Sequence, residues 1–357
     1  MSNGYKIGSV FGIDIKIHWT LALLLFISII PLSYGDYLLF LIILLLFICV
    51  FLHELAHSIT ALTNNIKVSE IVLNIIGGAS IIDITKIKPT VEFKISLAGP
   101  IASLFLGGVF GILSVLYTSG GVIAYLLQLM FEINILLGIF NLMPTFPMDG
   151  GRILKSYLQK KRKEFEATML TAKISSIVIA LFLFLSFVYT IYIPGSLIYK
   201  EFEFFILLFI AIFLYGGSEA EKESAIIKYE TQSLTIGTIA GNDFTILPDN
   251  TSAIMVYKKA LKLKQDILLI KGKEGFRYID PFKARNSTIK TALELSSPCL
   301  SLDYKESVFN AMSKIQSSGT GIAVVIRGNK PIGIITMQRI QSFIYLHMLA
   351  KKVEKSI

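Results

Sequence analysis

Two histidines and a glutamate form the most chemically informative group in the sequence. His53, Glu54 and His57 make the pattern H-E-x-x-H inside an apolar run that begins near Tyr37. Residues four apart share a face of a helix, so both imidazoles can bind one metal ion. Glu54 is then placed to take a proton from an attacking water. The alternative is a hydrogen-bonded polar cluster that joins helices, but the cost of ionisable groups inside a span favours a functional role.

A second polar stretch ends the fourth apolar run. Pro144 and Pro147 cannot continue a helix, so the backbone must break there. Broken backbone at membrane depth is tolerated where it is buried in protein or lines a wet cavity. Asp149 follows the break and can supply a third metal ligand, with one position left for water. The alternative is that Asp149 caps the next helix. Asn141 precedes the break, and the pattern assigns no role to Glu132.

Composition indicates a polytopic membrane protein. The chain has 357 residues, of which 54% are hydrophobic, and its mean hydropathy is +0.67. Several apolar runs reach the length of a bilayer core. Six spans are predicted, at about residues 19–32, 37–63, 93–117, 122–143, 174–193 and 204–217.

Charges predict how these spans are oriented. Lysines and arginines precede the first span and follow the second and fourth, so both termini are expected in the cytoplasm. Such loops also account for the net charge of +9, and no nucleic-acid partner is expected. Charged residues come before any apolar run, which is not the pattern of a cleavable signal. Cys49 and Cys299 lie in different regions, so we expect no disulfide.

Residues 68–85 are rich in β-branched side chains around Gly77 and Gly78, a pattern that predicts a hairpin. Such a hairpin, associated with the membrane beside the metal helix, offers a strand edge to an extended peptide. The alternative is a surface loop packed against the helices. From about residue 219 charges become frequent and short strands alternate with helical patterns, so domains are predicted at 1–218 and 219–357, the second a soluble α/β domain.

The motifs resemble those of the site-2 protease family of intramembrane zinc metalloproteases. The resemblance lies in His53–His57 within a span and in the stretch Asn-Leu-Met-Pro-Thr-Phe-Pro-Met-Asp-Gly-Gly at residues 141–151, where Met148 replaces a usual leucine. Gly77-Gly78 and Ala98-Gly99-Pro100 add to it, and it covers about residues 8–217. The zinc ligands and general base that it implies are His53, His57, Asp149 and Glu54. The implied substrate-binding residues are Asn141, Pro144, Gly77 and Gly78.

The C-terminal region resembles a pair of CBS modules, the small α/β repeats that often follow such proteases and sense adenine nucleotides. Residues 307–336 fit the second module, and residues 245–290 fit the first less closely. The resemblance implies a regulatory domain through which two chains can pair. The aspartate that commonly reads a ribose after the last strand is absent, because Met337-Gln338-Arg339 stands there.

The expected function is therefore hydrolysis of a peptide bond in a single-pass transmembrane protein, carried out in the cell membrane with one zinc ion per chain. An alternative of another class is a transporter or channel gated by the CBS modules, since such modules also regulate those proteins. That alternative requires polar residues along a path through several spans. A third hypothesis is a pseudo-protease scaffold, which the presence of Glu54 and all three candidate ligands disfavours.

Overall fold

The computed structural model describes residues 4–30, 37–75, 77–82, 87–192, 197–272, 275–285 and 291–354. The chain divides into two compact units, residues 2–225 and 226–357. The division falls inside one long helix, because the charges after Gly217 that end the apolar run do not end the helix. The composition-based boundary at residues 218 and 219 stays a prediction.

The first unit combines a small sheet with a set of apolar helices. Within the described residues its strands are β1 (Gly4–Val10), β2 (Ile13–His18), β3 (Val68–Asn74) and β4 (Gly77–Ile82). The helices of the same residues are α1 (Trp19–Ser28), α2 (Leu38–Thr63), α3 (Pro89–Leu116), α4 (Gly121–Asn141), α5 (Asp149–Leu158), α6 (Glu164–Tyr192) and α7 (Leu197–Thr231).

Five helices in the described part of the chain are long and apolar enough to cross a membrane. They are α2, α3, α4, α6 and, within α7, Glu203–Thr231. The protein is thus a multi-pass membrane protein, as predicted. The predicted first span is shorter than expected, since α1 has only 10 residues and the end of the prediction, at residue 32, falls outside the described residues. The predicted last span, by contrast, is part of a 35-residue helix.

The sheet confirms the predicted hairpin and corrects its turn. β3 and β4 pair antiparallel, with Asn74 opposite Gly77. Gly77 and Gly78 therefore open β4 instead of forming the turn. Gly77 has φ +145°, a backbone angle that residues with a side chain rarely adopt. The sheet order β1-β2-β3-β4 adds two N-terminal strands that the sequence analysis did not predict.

Small residues bring α3 and α4 into close contact. A Cβ on Gly107 would lie 2.8 Å from Ile135, and one on Gly138 would lie 2.7 Å from Leu104. Gly111 is equally close to Phe131, at 2.9 Å. Gly107 and Gly111, four residues apart on α3, thus let the two helices approach closely.

In its described residues the second unit has two sheets, each with its own helices. The strands are β5 (Ile246–Leu247), β6 (Leu268–Gly272), β7 (Gly275–Ile279), β8 (Ser297–Pro298), β9 (Leu300–Asp303), β10 (Ile322–Arg327) and β11 (Lys330–Thr336). The first sheet, in the order β5-β6-β7-β8, and the second, β11-β10-β9, each cover a separate apolar cluster. The helices are α8 (Ala253–Leu263), α9 (Pro281–Arg285), α10 (Ala292–Leu295), α11 (Val308–Ser318) and α12 (Met337–Glu354). This is the paired α/β arrangement that the resemblance to CBS modules predicts.

Arg339 follows β11, at the place where the resemblance leads one to look for a ribose-reading aspartate. Its Nε donates a hydrogen bond to the carbonyl oxygen of Ile239 at 2.7 Å. Its guanidinium also lies against Gly241, where an added Cβ would be 2.7 Å from Nη1. The side chain at this position is thus engaged with the main chain of the same unit.

Candidate metal centre

Three ligand-type atoms from two distant parts of the chain converge in the first unit. His53 and His57 lie one turn apart on α2, and both are buried. Their Nε2 atoms are 3.1 Å apart. Asp149, the first residue of α5, brings its Oδ2 to 3.2 Å from Nε2 of His53 and 3.1 Å from Nε2 of His57. The structure therefore brings together all three predicted ligands.

The other ring nitrogens are held by α3. Nδ1 of His57 donates to the carbonyl oxygen of Ile95 at 2.6 Å, and Nδ1 of His53 lies 2.9 Å from the hydroxyl oxygen of Ser103. Because a carbonyl oxygen can only accept, the neutral ring of His57 carries its proton on Nδ1 and turns a lone pair toward the cluster. Metal-binding histidines commonly use their second nitrogen in this way.

The donor set and its dimensions fit a zinc ion. Two imidazole nitrogens and one carboxylate oxygen are typical ligands of a catalytic zinc site that keeps its fourth position open. Zinc bonds of about 2.0–2.2 Å in tetrahedral geometry place ligand atoms about 3.3–3.6 Å apart. The observed separations of 3.1–3.2 Å are close to this range, so an ion fits with little movement of the three side chains.

Gly99 explains how α3 approaches the imidazoles so closely. A Cβ at this position would lie 2.6 Å from Nε2 of His53 and closer still to Nε2 of His57. Gly99 lies between Ile95 and Ser103 on the same helix, one turn from each. Glycine is thus required here by the histidines, whereas the sequence analysis used Ala98-Gly99-Pro100 only as part of the resemblance.

The broken segment after α4 places Asp149. Thr145 and Phe146 are buried, and the backbone N–H of Phe146 donates to the hydroxyl of Ser175 on α6 at 2.9 Å. A Cβ on Gly151 would lie 2.7 Å from the carbonyl oxygen of Thr145, so α5 begins directly against this segment. The N-cap of α5 is Met148, and the alternative that Asp149 acts as the cap is therefore wrong.

Glu54 and the hairpin border the same cavity as the three ligand residues. The cavity has a volume of about 540 Å³, and Glu54, Gly77, Gly78 and Asn141 line it. A Cβ on Gly78 would overlap the side chain of Glu54, so β4 runs directly alongside it. Pro144 is exposed and lies outside this lining, where Pro147 stands instead.

Arg152 also lines the cavity, a position that the sequence analysis did not predict. It lies one turn after Asp149 on α5, and its guanidinium is 3.5 Å from the carboxylate of Glu221 on α7. The i, i+3 spacing from Asp149 could have indicated it, because residues at this spacing share a helix face. Ile95 left no such signal, since its contribution is a backbone carbonyl.

Comparison with known proteins gives one consistent family. The profile of peptidase family M50 matches residues 41–123 and 117–185. A zinc metalloprotease of Methanocaldococcus jannaschii is 36% identical over 237 residues, which cover 65% of this chain and 63% of that protein. A putative zinc metalloprotease of Mycobacterium tuberculosis, Rip3, is 26% identical over 264 residues, covering 70% of this chain and 65% of the relative. The match thus spans less than two thirds of each relative's length.

Among solved structures, the site-2 protease from Methanocaldococcus jannaschii is similar at 32% identity, with a TM-score of 0.46. The similarity covers 61% of this chain and 95% of that structure. The matched segments of the family profile contain His53, Glu54, His57 and Asp149. The chain belongs to peptidase family M50, the family of zinc metalloproteases that includes the site-2 proteases.

Proposed function

We propose that the chain is an intramembrane zinc endopeptidase that hydrolyses peptide bonds of membrane-anchored proteins. The observation that carries this proposal is the convergence of two imidazole nitrogens and a carboxylate oxygen within 3.2 Å of one another, in a cavity that Glu54 also lines. In this assignment the zinc ligands are His53, His57 and Asp149, and Glu54 is the general base. None of the relatives described above is a transporter, so the sequence-level alternative gains no support.

The mechanism follows from the groups that line the cavity. Zinc, when bound, supplies a Lewis acid that activates water and polarises the scissile carbonyl. Glu54 accepts a proton from the attacking water and returns it to the amine that leaves when the C–N bond breaks. The contacts of Nδ1 with Ile95 and Ser103 hold both imidazoles in one orientation, so that their Nε2 atoms stay directed at the site.

The substrate must present an extended segment to this cavity. In a transmembrane helix the carbonyl groups are hydrogen-bonded, so a single-pass substrate has to unwind locally before hydrolysis. Gly77 and Gly78 open β4, the terminal strand of the described sheet, and both line the cavity. An unwound segment can pair with this strand and recover part of its backbone hydrogen bonds.

Asn141 and Pro144 complete the proposed substrate site in different ways. Asn141 lines the cavity, and its amide nitrogen donates one N–H to the carbonyl of Leu137 at 2.9 Å. The second N–H and the amide oxygen are then available to the substrate. Pro144 acts through the break after α4, because it stops the helix before it reaches the metal ligand.

We assign both termini to the cytoplasm, because the basic residues that follow α2 and those of the segment 152–163 are then on the inner side. The C-terminal domain, whose boundary we place at about residue 219, is then cytoplasmic. Its two α/β modules are the proposed regulatory part, and CBS-type modules are also suited to pairing two chains.

Glu54→Gln tests the mechanism directly. The amide keeps the size of the side chain but cannot accept the proton, so zinc content should stay at one ion per chain while shed fragments disappear from membranes of cells that express the protein. His57→Ala is the matched comparison and should lose zinc as well as cleavage. Metal analysis of the purified variants and quantitative proteomics of the membranes give both readouts. Persistent cleavage by Glu54→Gln would refute the assigned base.

A further inference from the structure

The outward face of α4 carries two polar side chains in the middle of a span. Five of the exposed residues of this helix recur every three or four positions, which places them on one stripe: Tyr125, Gln128, Glu132, Leu136 and Ile139. We call them the α4 stripe. α4 packs on α3 through Gly138, which at 3.6 residues per turn lies about 120° around the helix from Glu132, and through Ile135, which borders the stripe. The stripe itself is exposed.

Glu132 lies near the middle of α4, far from either end of the span. The helix α4 has 21 residues, so at 1.5 Å per residue Glu132 is about 17 Å from one end and about 14 Å from the other. The hydrocarbon core is about 30 Å thick. An ionisable side chain at this depth is costly unless it pairs with another group, and for this reason it marks a functional surface.

The contact that the structure shows satisfies the pair only in part. The side-chain nitrogen of Gln128 donates to Oε1 of Glu132 at 2.8 Å. This bond uses one N–H of the amide and one oxygen of the carboxyl group. The pair therefore keeps further donor and acceptor capacity on the same exposed patch, so it is complementary to a copy of itself.

We propose that the α4 stripe is a dimer interface that joins two copies of this chain within the membrane. In a two-fold dimer the same patch meets itself, so the amide of Gln128 in one copy lies beside the carboxyl group of Glu132 in the other. Tyr125, Glu132 and Ile139 are spaced by seven residues, the repeat of a helix–helix seam. A polar residue in such a seam fixes register and oligomeric state, and hydrogen bonds between helices hold it in lipid.

The stripe is separate from the surface that receives substrate. The residues of α4 that line the metal cavity are Leu137, Phe140 and Asn141, and none of them belongs to the stripe. A substrate helix that reaches the cavity therefore does not cover Gln128 and Glu132. A second copy does so and leaves the cavity open.

This interface can be tested by energy transfer between two differently labelled populations of the full-length protein. The protein is placed in phosphatidylcholine–phosphatidylglycerol vesicles, which are then diluted with lipid. Each interhelical hydrogen bond contributes about 3- to 30-fold to association in lipid. Because a two-fold interface contains the pair twice, Gln128→Leu with Glu132→Leu should weaken association by about 10-fold or more. Glu132→Gln retains a donor and an acceptor and should keep most of the association. Unchanged association in the double variant, or a monomeric wild type at every dilution, overturns the proposal.

Cross-linking gives a second measurement that leaves the polar pair intact. Leu136→Cys places a thiol on the stripe, so mild oxidation in the vesicles should yield a covalent dimer. Leu181→Cys, an exposed residue of α6, is the matched control and should remain monomeric, with wild type as the background for the two native cysteines. If Leu136→Cys cross-links in cell membranes to a different protein and not to itself, the stripe binds another partner and the proposed dimer is wrong.

Discussion

Replacing Gly99 with alanine should remove zinc while leaving the helix intact. The added Cβ would lie 2.6 Å from Nε2 of His53, whereas ordinary van der Waals contact begins at 3.4 Å. The ring of His53 must therefore move by about 0.8 Å, and the ring of His57 by more. Both rings are tied through Nδ1, to Ser103 and to the carbonyl of Ile95. Because metal coordination tolerates deviations of only about 0.2 Å, the affinity for zinc should fall by at least about 100-fold, or about 2.7 kcal/mol.

The assay is competition for zinc against a chromogenic chelator, read together with cleavage in membranes. Gly108→Ala is the matched control, because it lies on the same helix and an added Cβ would meet nothing within 4 Å. Both substitutions raise helix propensity by about 1 kcal/mol, so α3 should form in both variants. Zinc binding of wild-type strength in Gly99→Ala would show that the rings are not confined as the structure indicates.

Three further predictions concern other parts of the molecule. Gly78→Ala should keep its zinc but lose cleavage, because the added Cβ overlaps only the side chain of Glu54. Metal analysis of the purified variant and proteomics of the membranes measure the two effects. Equal losses of zinc and of cleavage would contradict this prediction. Lys155 and Glu92 form an ion pair of 2.5 Å between α5 and α3, each side chain about 15% exposed. Glu92→Gln should lower the free energy of unfolding in detergent by about 3 kcal/mol, and exchanging Lys155 and Glu92 should restore part of the lost stability. A loss below about 1 kcal/mol would show that the ion pair does not stabilise the fold. Burial raises the pKa of the Cys299 thiol to about 11, so at pH 8 its alkylation by iodoacetamide should be about 100-fold slower than in the unfolded chain. The stability that the protonated thiol provides is present below about pH 9 and should be lost as the pH rises through about 11. Alkylation of the folded protein as fast as in urea would refute the burial.

Much of the candidate site could be predicted because its elements are local. The spacing of His53 and His57 fixes their relation on any helix, and Pro144 and Pro147 mark where α4 must end. Asp149 was predicted as a ligand from this break, although it lies 96 residues from His53. The hairpin was also predicted from β-branched residues, but its turn was not, since Gly77 and Gly78 are needed for close approach and backbone conformation in β4.

The N-terminal strands show what the sequence analysis overlooked. Residues 13–18 alternate apolar and polar side chains, which is a strand signal, yet the sequence analysis considered only the charges that precede the first span. In the structure β2 pairs in parallel with β3, and Lys16 forms an ion pair with Glu70. This pairing joins segments about fifty residues apart and has no local signature.

The sequence by itself determined the membrane class, the ligand types and the two segments that carry them, because hydrophobic length and helical spacing are local properties. Only the tertiary structure decided which groups hold the ligands in place. A backbone carbonyl such as that of Ile95 has no residue type to mark it, and Gly99 has the same appearance in sequence whether it faces a helix or an imidazole. Likewise an apolar helix does not reveal its outward face, so the exposure of Glu132 became visible only once α4 had packed on α3.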